Sequence, residues 1–122
     1  MQPCQPVCNA VIVAAGAEPF VPPIPVRDSK PVVQALDVLS GQAKTGNSVV
    51  IIGGELVGCE TAEHLADQGK KVTVVRRGAE MATKVRPAAR GMLLERLNKK
   101  GVSLVPGVSS YDEINKEGLA LT

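Results

Sequence analysis

With 122 residues the chain has room for one compact domain with its own core, and not for two. Hydrophobic residues make up 44% of it and aromatic ones only 2%, so the core must come from Val, Ile, Leu and Ala, the mix of buried parallel strands rather than of an aromatic binding platform. The net charge of +2 arises from 14 basic and 12 acidic residues with no long run of either sign, which leaves no concentrated basic face for nucleic acid.

No apolar run approaches the roughly 18 residues of a membrane span. The opening MQPCQPVCNA lacks the charged and apolar regions of a secretory signal, so the default expectation is a soluble cytoplasmic protein without membrane partners. Cys4, Cys8 and Cys59 form an odd set without a disulfide framework. Two ligands with no second pair beside them make a poor metal site, so Cys4 and Cys8 read as free thiols and no metal is expected.

Ala10 to Ala15 is an apolar run ending in Gly16-Ala17-Glu18-Pro19, which reads as a short buried strand stopped by turn residues. Pro19, Pro22, Pro23 and Pro25 then force an extended path, as a connector between domains would need. The boundary falls near residue 26, leaving 27–122 as the domain proper.

Val32 to Leu39 has helical spacing, with Gly41 as its stop. Ser48-Val49-Val50-Ile51-Ile52 is a β-branched run between Gly46-Asn47 and Gly53-Gly54 and reads as a fully buried central strand. From Leu56 the period turns helical, with Val57, Thr61, His64 and Leu65 in phase and Gly69 as the C-terminal stop. On that helix His64 reads as a packing residue and Cys59 as a small core residue.

Val72 to Val75 is a second buried strand, which completes a βαβ unit with a right-handed crossover. A helix is expected over Ala88 to Lys100, with Met92, Leu93 and Leu97 inward and Arg90, Arg96 and Lys99 outward, and a third strand over Val102 to Val105. Tyr111 to Thr122 reads as the start of a β-meander. The fold class is therefore α/β, a Rossmann-like three-layer domain with a mostly parallel sheet.

The chemistry concentrates in Gly53-Gly54-Glu55-Leu56-Val57-Gly58, which fills the six positions of the dinucleotide fingerprint G-x-G-x-x-G with Glu at the second glycine. Gly53 suits the tight turn, Gly58 the close packing of helix on strand, and the free amides at the helix start suit a pyrophosphate. Glu55 adds a Cβ and a negative charge beside that anion. A like-charge contact near 4 Å costs about 1 to 4 kcal/mol, enough to weaken binding about tenfold or more unless the side chain turns away.

Arg76-Arg77 ends the second strand about 20 residues past the turn, where an NAD site carries an acid for the ribose 2′-hydroxyl. A guanidinium there suits the 2′-phosphate of NADP and tilts the expectation from NAD(H) to NADP(H). The plainer reading is a solvated strand end, and a pair between Glu55 and Arg76 would blunt the phosphate preference.

Val49 to Arg77, VVIIGGELVGCETAEHLADQGKKVTVVRR, resembles the NAD(P)-binding domain inserted in the FAD/NAD(P)-dependent pyridine nucleotide oxidoreductases. Ala10 to Pro19 is similar to the A-T-G-x-x-P stretch that closes their FAD site, with Ala15 in place of Thr. Within the group, GCETAEHLADQGKKVTVV is most like the C-terminal part of 2-enoate reductase and 2,4-dienoyl-CoA reductase, the NADH:flavin oxidoreductases.

The resemblance implies that residues 1–26 are a remnant of the FAD-domain strand with its connector, and that 27–122 bind the nicotinamide dinucleotide. It also implies a parent flavoprotein whose remaining domains hold FAD and receive hydride, the isolated chain being inactive and carrying no catalytic residue. The implied cofactor residues are Gly53, Gly54, Glu55, Leu56, Val57, Gly58, Glu60, Arg76 and Arg77. Among them Glu60 matches the family's acid near the nicotinamide and flavin rings, or else is a helix-start carboxylate favoured by the dipole. The alternative is a noncatalytic Rossmann-like module whose site Glu55 impairs.

Overall fold

The computed structural model describes residues 9–10, 12–27 and 32–122. Cys4 and Cys8 lie outside them. The elements run α1 (Ala35–Leu39), β1 (Ser48–Ile52), α2 (Leu56–Asp67), β2 (Lys71–Val75), α3 (Pro87–Lys99), β3 (Ser103–Val105), β4 (Tyr111–Asn115) and β5 (Gly118–Leu121).

Strands β1, β2 and β3 form one parallel sheet in that order, with Ser48 opposite Lys71 and Thr73 opposite Ser103. Successive strands step the same way across the sheet, so right-handed crossovers put α2 and α3 on one face. The pleat decides which side chains meet them. Val49, Ile51, Val72, Val74 and Leu104 pack with Cys59, Ala62 and Leu65 of α2 and with Leu93 and Leu97 of α3. Cys59 is fully buried, as its place on the inner side of α2 demands, and burial pushes its thiol pKa up.

Both helices end in the same way, and the ending aims the next strand. The Gly69 amide donates to Ala66 and the Lys70 amide to Leu65; likewise the Gly101 amide donates to Asn98 and the Val102 amide to Leu97. These crossed bonds satisfy the last carbonyls of each helix, and each leads into a strand within three residues. Pro87 opens α3, where a missing N–H costs nothing.

Several expectations need correction. Among the described residues β1 is an edge strand, not a central one; only β2 has neighbours on both sides there, and Val50 is 46% exposed. The run Ala10 to Ala15 forms no strand among its described residues, and Ile12 and Val13 are 90% and 84% exposed because no ladder runs beside them. The helix expected from Val32 begins at Ala35, after an extended Gln34. On α2 and α3 the period holds but the apolar arc is narrower than expected: Val57, His64 and Met92 point outward. His64 instead meets Gln68 at 3.0 Å on the surface.

The meander begins as the antiparallel hairpin β4–β5. The proline-rich connector joins it: Val26 forms a parallel bridge to Ile114, the Arg27 amide donates to Ile114 and the Ile114 amide to Pro25. Among the described residues no helix is long and apolar enough to cross a membrane, and no three His, Cys, Asp or Glu side chains gather as a metal site would need.

Candidate dinucleotide site

The site forms where β1 and β2 end together and α2 begins. The Gly53 amide donates to the Val75 carbonyl at 3.0 Å, which fastens the turn to the end of β2. Gly53 has φ 122, a conformation open to glycine and costly to other residues. Gly58 faces the turn so closely that a Cβ on it would overlap the Gly53 carbonyl oxygen. The first and last glycines of the fingerprint therefore do what their positions imply: one turns the chain, the other brings helix against strand.

Gly54 has a role that sequence reasoning missed. It is buried, its carbonyl accepts from the Ala82 amide at 2.7 Å, and a Cβ there would collide with the Met81 sulfur. The segment between β2 and α3 thus lies down on the turn and buries Met81 and Ala82. Arg90 holds it there, donating from Nε to the Met81 carbonyl at 2.8 Å and pairing with Glu80 at 3.1 Å. Ala82 takes φ 54 to make this contact.

Glu55 is the residue before α2, with an extended backbone and no side-chain cap to the helix amides. Its carboxylate is drawn sideways toward β2. Oε1 accepts from the Thr83 hydroxyl at 2.7 Å and pairs with Arg76 at 2.6 Å; Oε2 accepts from the Lys84 amide at 3.1 Å. The Thr83 hydroxyl first, then the Lys84 amide and the Arg76 guanidinium, hold its pKa below the ordinary carboxylate value. The opening amides of α2 thus carry no cap from the Glu55 side chain, and uncapped helix-start amides suit an anion.

Arg76 is correspondingly occupied. Besides Glu55 it donates to Thr83 at 3.1 Å and to the Glu80 carbonyl, and its side chain is 20% exposed. The free guanidinium on which the NADP(H) expectation rested is not free: the Glu55–Arg76 pair that would blunt the preference is formed. Arg77, next in line, is exposed and lies 5.3 Å above the Tyr111 ring, facing the hairpin rather than Glu55.

A groove lined by Glu55, Leu56, Val57, Lys84, Val85 and Arg86 runs past the turn, and Leu56 and Val57 present exposed apolar surface to it. Glu60 is exposed one turn along α2 and borders a second groove with Leu56, Val85, Met92 and Arg96. Of the nine cofactor residues expected from sequence, Gly53 to Gly58 and Arg76 converge on the turn, while Glu60 and Arg77 point to either side. Thr83 and Lys84 were missed: they stand 28 and 29 residues from Glu55, with no local signal linking them.

Residues 6–121 match the family model of the pyridine nucleotide-disulphide oxidoreductases. The chain is 41% identical over 114 residues to an NADH oxidase of Thermoanaerobacter brockii, covering 90% of this chain and 17% of that protein. It is 42% identical over 115 residues to a bilirubin reductase of Mediterraneibacter gnavus, covering 88% and 18%. Among solved structures, a 2-naphthoyl-CoA reductase in complex with 2-naphthoyl-CoA superposes with TM-score 0.77 at 30% identity, over 89% of this chain and 16% of the other. The chain thus spans less than a fifth of the length of these relatives.

Proposed function

This chain belongs to the pyridine nucleotide-disulphide oxidoreductase family, as an NAD(P)-binding domain, and from that premise we propose that it positions NAD(P)H for hydride transfer to an FAD held by other domains of a larger flavoprotein. The observation that carries the reading is the turn itself. Gly58 closes on Gly53 at the paired ends of β1 and β2, and the α2 amides open beside them.

The residues fit such a ligand. The amides of Leu56, Val57 and Gly58 would take the pyrophosphate, Glu55 and the end of β2 the adenosine ribose, and the groove along Leu56 and Val57 the remainder. The bound dinucleotide supplies the hydride chemistry, and the protein supplies orientation and electrostatics. Glu60, on α2 beyond the turn, stands at the family's acidic position and would face the reacting rings. No residue of this chain acts as nucleophile or metal ligand in the reading. The parent reaction passes electrons on to an unsaturated acceptor, in line with relatives named for the reduction of bilirubin and 2-naphthoyl-CoA.

The alternative, a noncatalytic module disabled by Glu55, requires the carboxylate to stand over the α2 amides. Its three bonds on the β2 side favour the binding reading instead. Calorimetric titration of the chain with NADH and NADPH decides between them. Saturable heat with either cofactor is expected, and no heat at millimolar cofactor from a folded sample would sink the proposal.

A further inference from the structure

Resting on the dinucleotide-binding reading, we propose that Glu55 is the residue that selects the cofactor: held at the end of β2 by Arg76, Thr83 and Lys84, it accepts a ribose hydroxyl of NAD(H) and excludes the 2′-phosphate of NADP(H).

An acid that recognises the adenosine ribose is ordinarily supplied by the end of the second strand. Here that strand ends in Arg76, and the acid comes from the turn. Glu55 reaches the same corner of the site because its carboxylate is pulled to Arg76 at 2.6 Å. An ionised carboxylate offers about four acceptor positions. On Oε1 the Thr83 hydroxyl and Arg76 fill two, and on Oε2 the Lys84 amide fills one. One position on Oε2 remains, which suits a single hydroxyl donor.

A 2′-phosphate is mostly deprotonated at neutral pH, so it is a poor donor, and it brings a charge of about −1.5 to −2. It would meet the Glu55 charge directly. It could not recruit Arg76 without breaking the pair with Glu55, nor displace Glu55 without also breaking the bonds from Thr83 and Lys84. Arg76 is itself fixed by Thr83 and the Glu80 carbonyl, so it cannot swing clear. Glu55 and Arg76 cancel as a pair, and the Lys84 ammonium, which also helps to lower the Glu55 pKa, is the remaining positive charge beside Glu55; a phosphate-selecting site needs a guanidinium unpaired, and here it is paired.

Titrating the full chain, wild type and variants, with NADH and NADPH tests this. The wild type should bind NADH at least about tenfold more tightly than NADPH, the ratio expected of one unfavourable charge contact at surface-like dielectric. Glu55→Gln should raise NADPH affinity about tenfold and lower NADH affinity a few-fold, and adding Arg76→Ala should cancel the NADPH gain. Thr83→Val, which loosens Glu55 without removing its charge, should narrow the ratio in the same direction. Circular dichroism of each variant secures the comparison.

If the wild type binds NADPH as tightly as NADH, or if Glu55→Gln leaves the ratio unchanged, Glu55 does not select the cofactor and the dinucleotide reading stands without it. If a folded wild-type chain binds neither cofactor, the dinucleotide reading itself falls and this assignment falls with it.

Discussion

Two carboxylates tied to arginines stand along α2, Glu55 just before it and Glu63 in its second half, and the two clusters differ in what stands beside them. Toward the C-terminal end, Glu63 takes Arg96 at 2.8 Å and Lys100 at 3.0 Å, and Lys100 also reaches Asp67 at 2.7 Å. All four residues belong to α2 or to α3 and its C-terminal cap, whose backbones are already satisfied, so the cluster is a staple between two helices. At the N-terminal end Glu55 takes its partners from a strand end and a loop, beside open amides and a groove. The same pairing chemistry is a fastening where the backbone is complete and, on the proposal above, a recognition element where it is not.

The contrast can be broken hardest at the turn. Gly58→Ala forces helix and turn apart, since the new methyl overlaps backbone that cannot rotate away. We expect a loss of about 2–3 kcal/mol in urea denaturation, together with loss of dinucleotide binding. Gly54→Ala meets the buried Met81 sulfur and the first atoms of the Arg76 side chain, which can shift where the backbone at Gly58 cannot, so the cost should be smaller.

The far cluster answers in stability alone. Glu63→Gln should cost no more than about 1 kcal/mol, because its partners are partly exposed and screened, and should leave both cofactor affinities unchanged. The hydrogen bonds from Arg96 and then Lys100 lower the Glu63 pKa to about 2. A depressed carboxylate stabilises the fold fully above its unfolded pKa, about 4.3, and loses that contribution as pH falls through the folded value. The wild type should therefore lose stability faster than Glu63→Gln between about pH 4 and 2, as followed by thermal melts in acid. A wild-type curve parallel to the variant's would mean the staple carries nothing.

Gly91 supplies the reverse test. It lies within α3 with open space where its Cβ would be, so Gly91→Ala should stabilise by about 0.5–1 kcal/mol through helix propensity. The smallest effect belongs to His64→Ala: an exposed ring bonded only to Gln68 should change stability by less than about 0.5 kcal/mol. A large loss there would restore the packing role that its helical spacing suggested.

The βαβ unit was legible because its signals are local. β-branched runs, glycine stops and the change of period each act within a few residues, and the structure places β1, α2 and β2 within a residue or two of the expected bounds. Strand order is not local. Ser48–Ile52 reads as a fully buried central strand yet stands at the edge of the sheet among the described residues, since being central depends on which strands flank it and not on its own composition. Helical phase was partly legible: Cys59, Leu65, Leu93 and Leu97 fell inward, but Val57 and Met92 did not, because periodicity gives a repeat and the neighbours decide how wide an arc is covered.

In the site, the glycines could be read from spacing. The direction of Glu55 could not, because it is set by Thr83 and Lys84 on a loop that only the fold brings near. Its pairing with Arg76 was among the alternatives open from the sequence; Thr83 and Lys84, which fix it there, were not.

The bridge between Val26 and Ile114 also marks a seam for transplanting the module. Arg27 donates to Ile114 and Ile114 to Pro25, so the incoming stretch and the first strand of the hairpin share a ladder. A graft into another scaffold should be cut before Pro25: a cut at residue 32, where the helical pattern begins, would strip the Ile114 amide and carbonyl of their partners and leave the hairpin with a raw edge open to pairing with another chain.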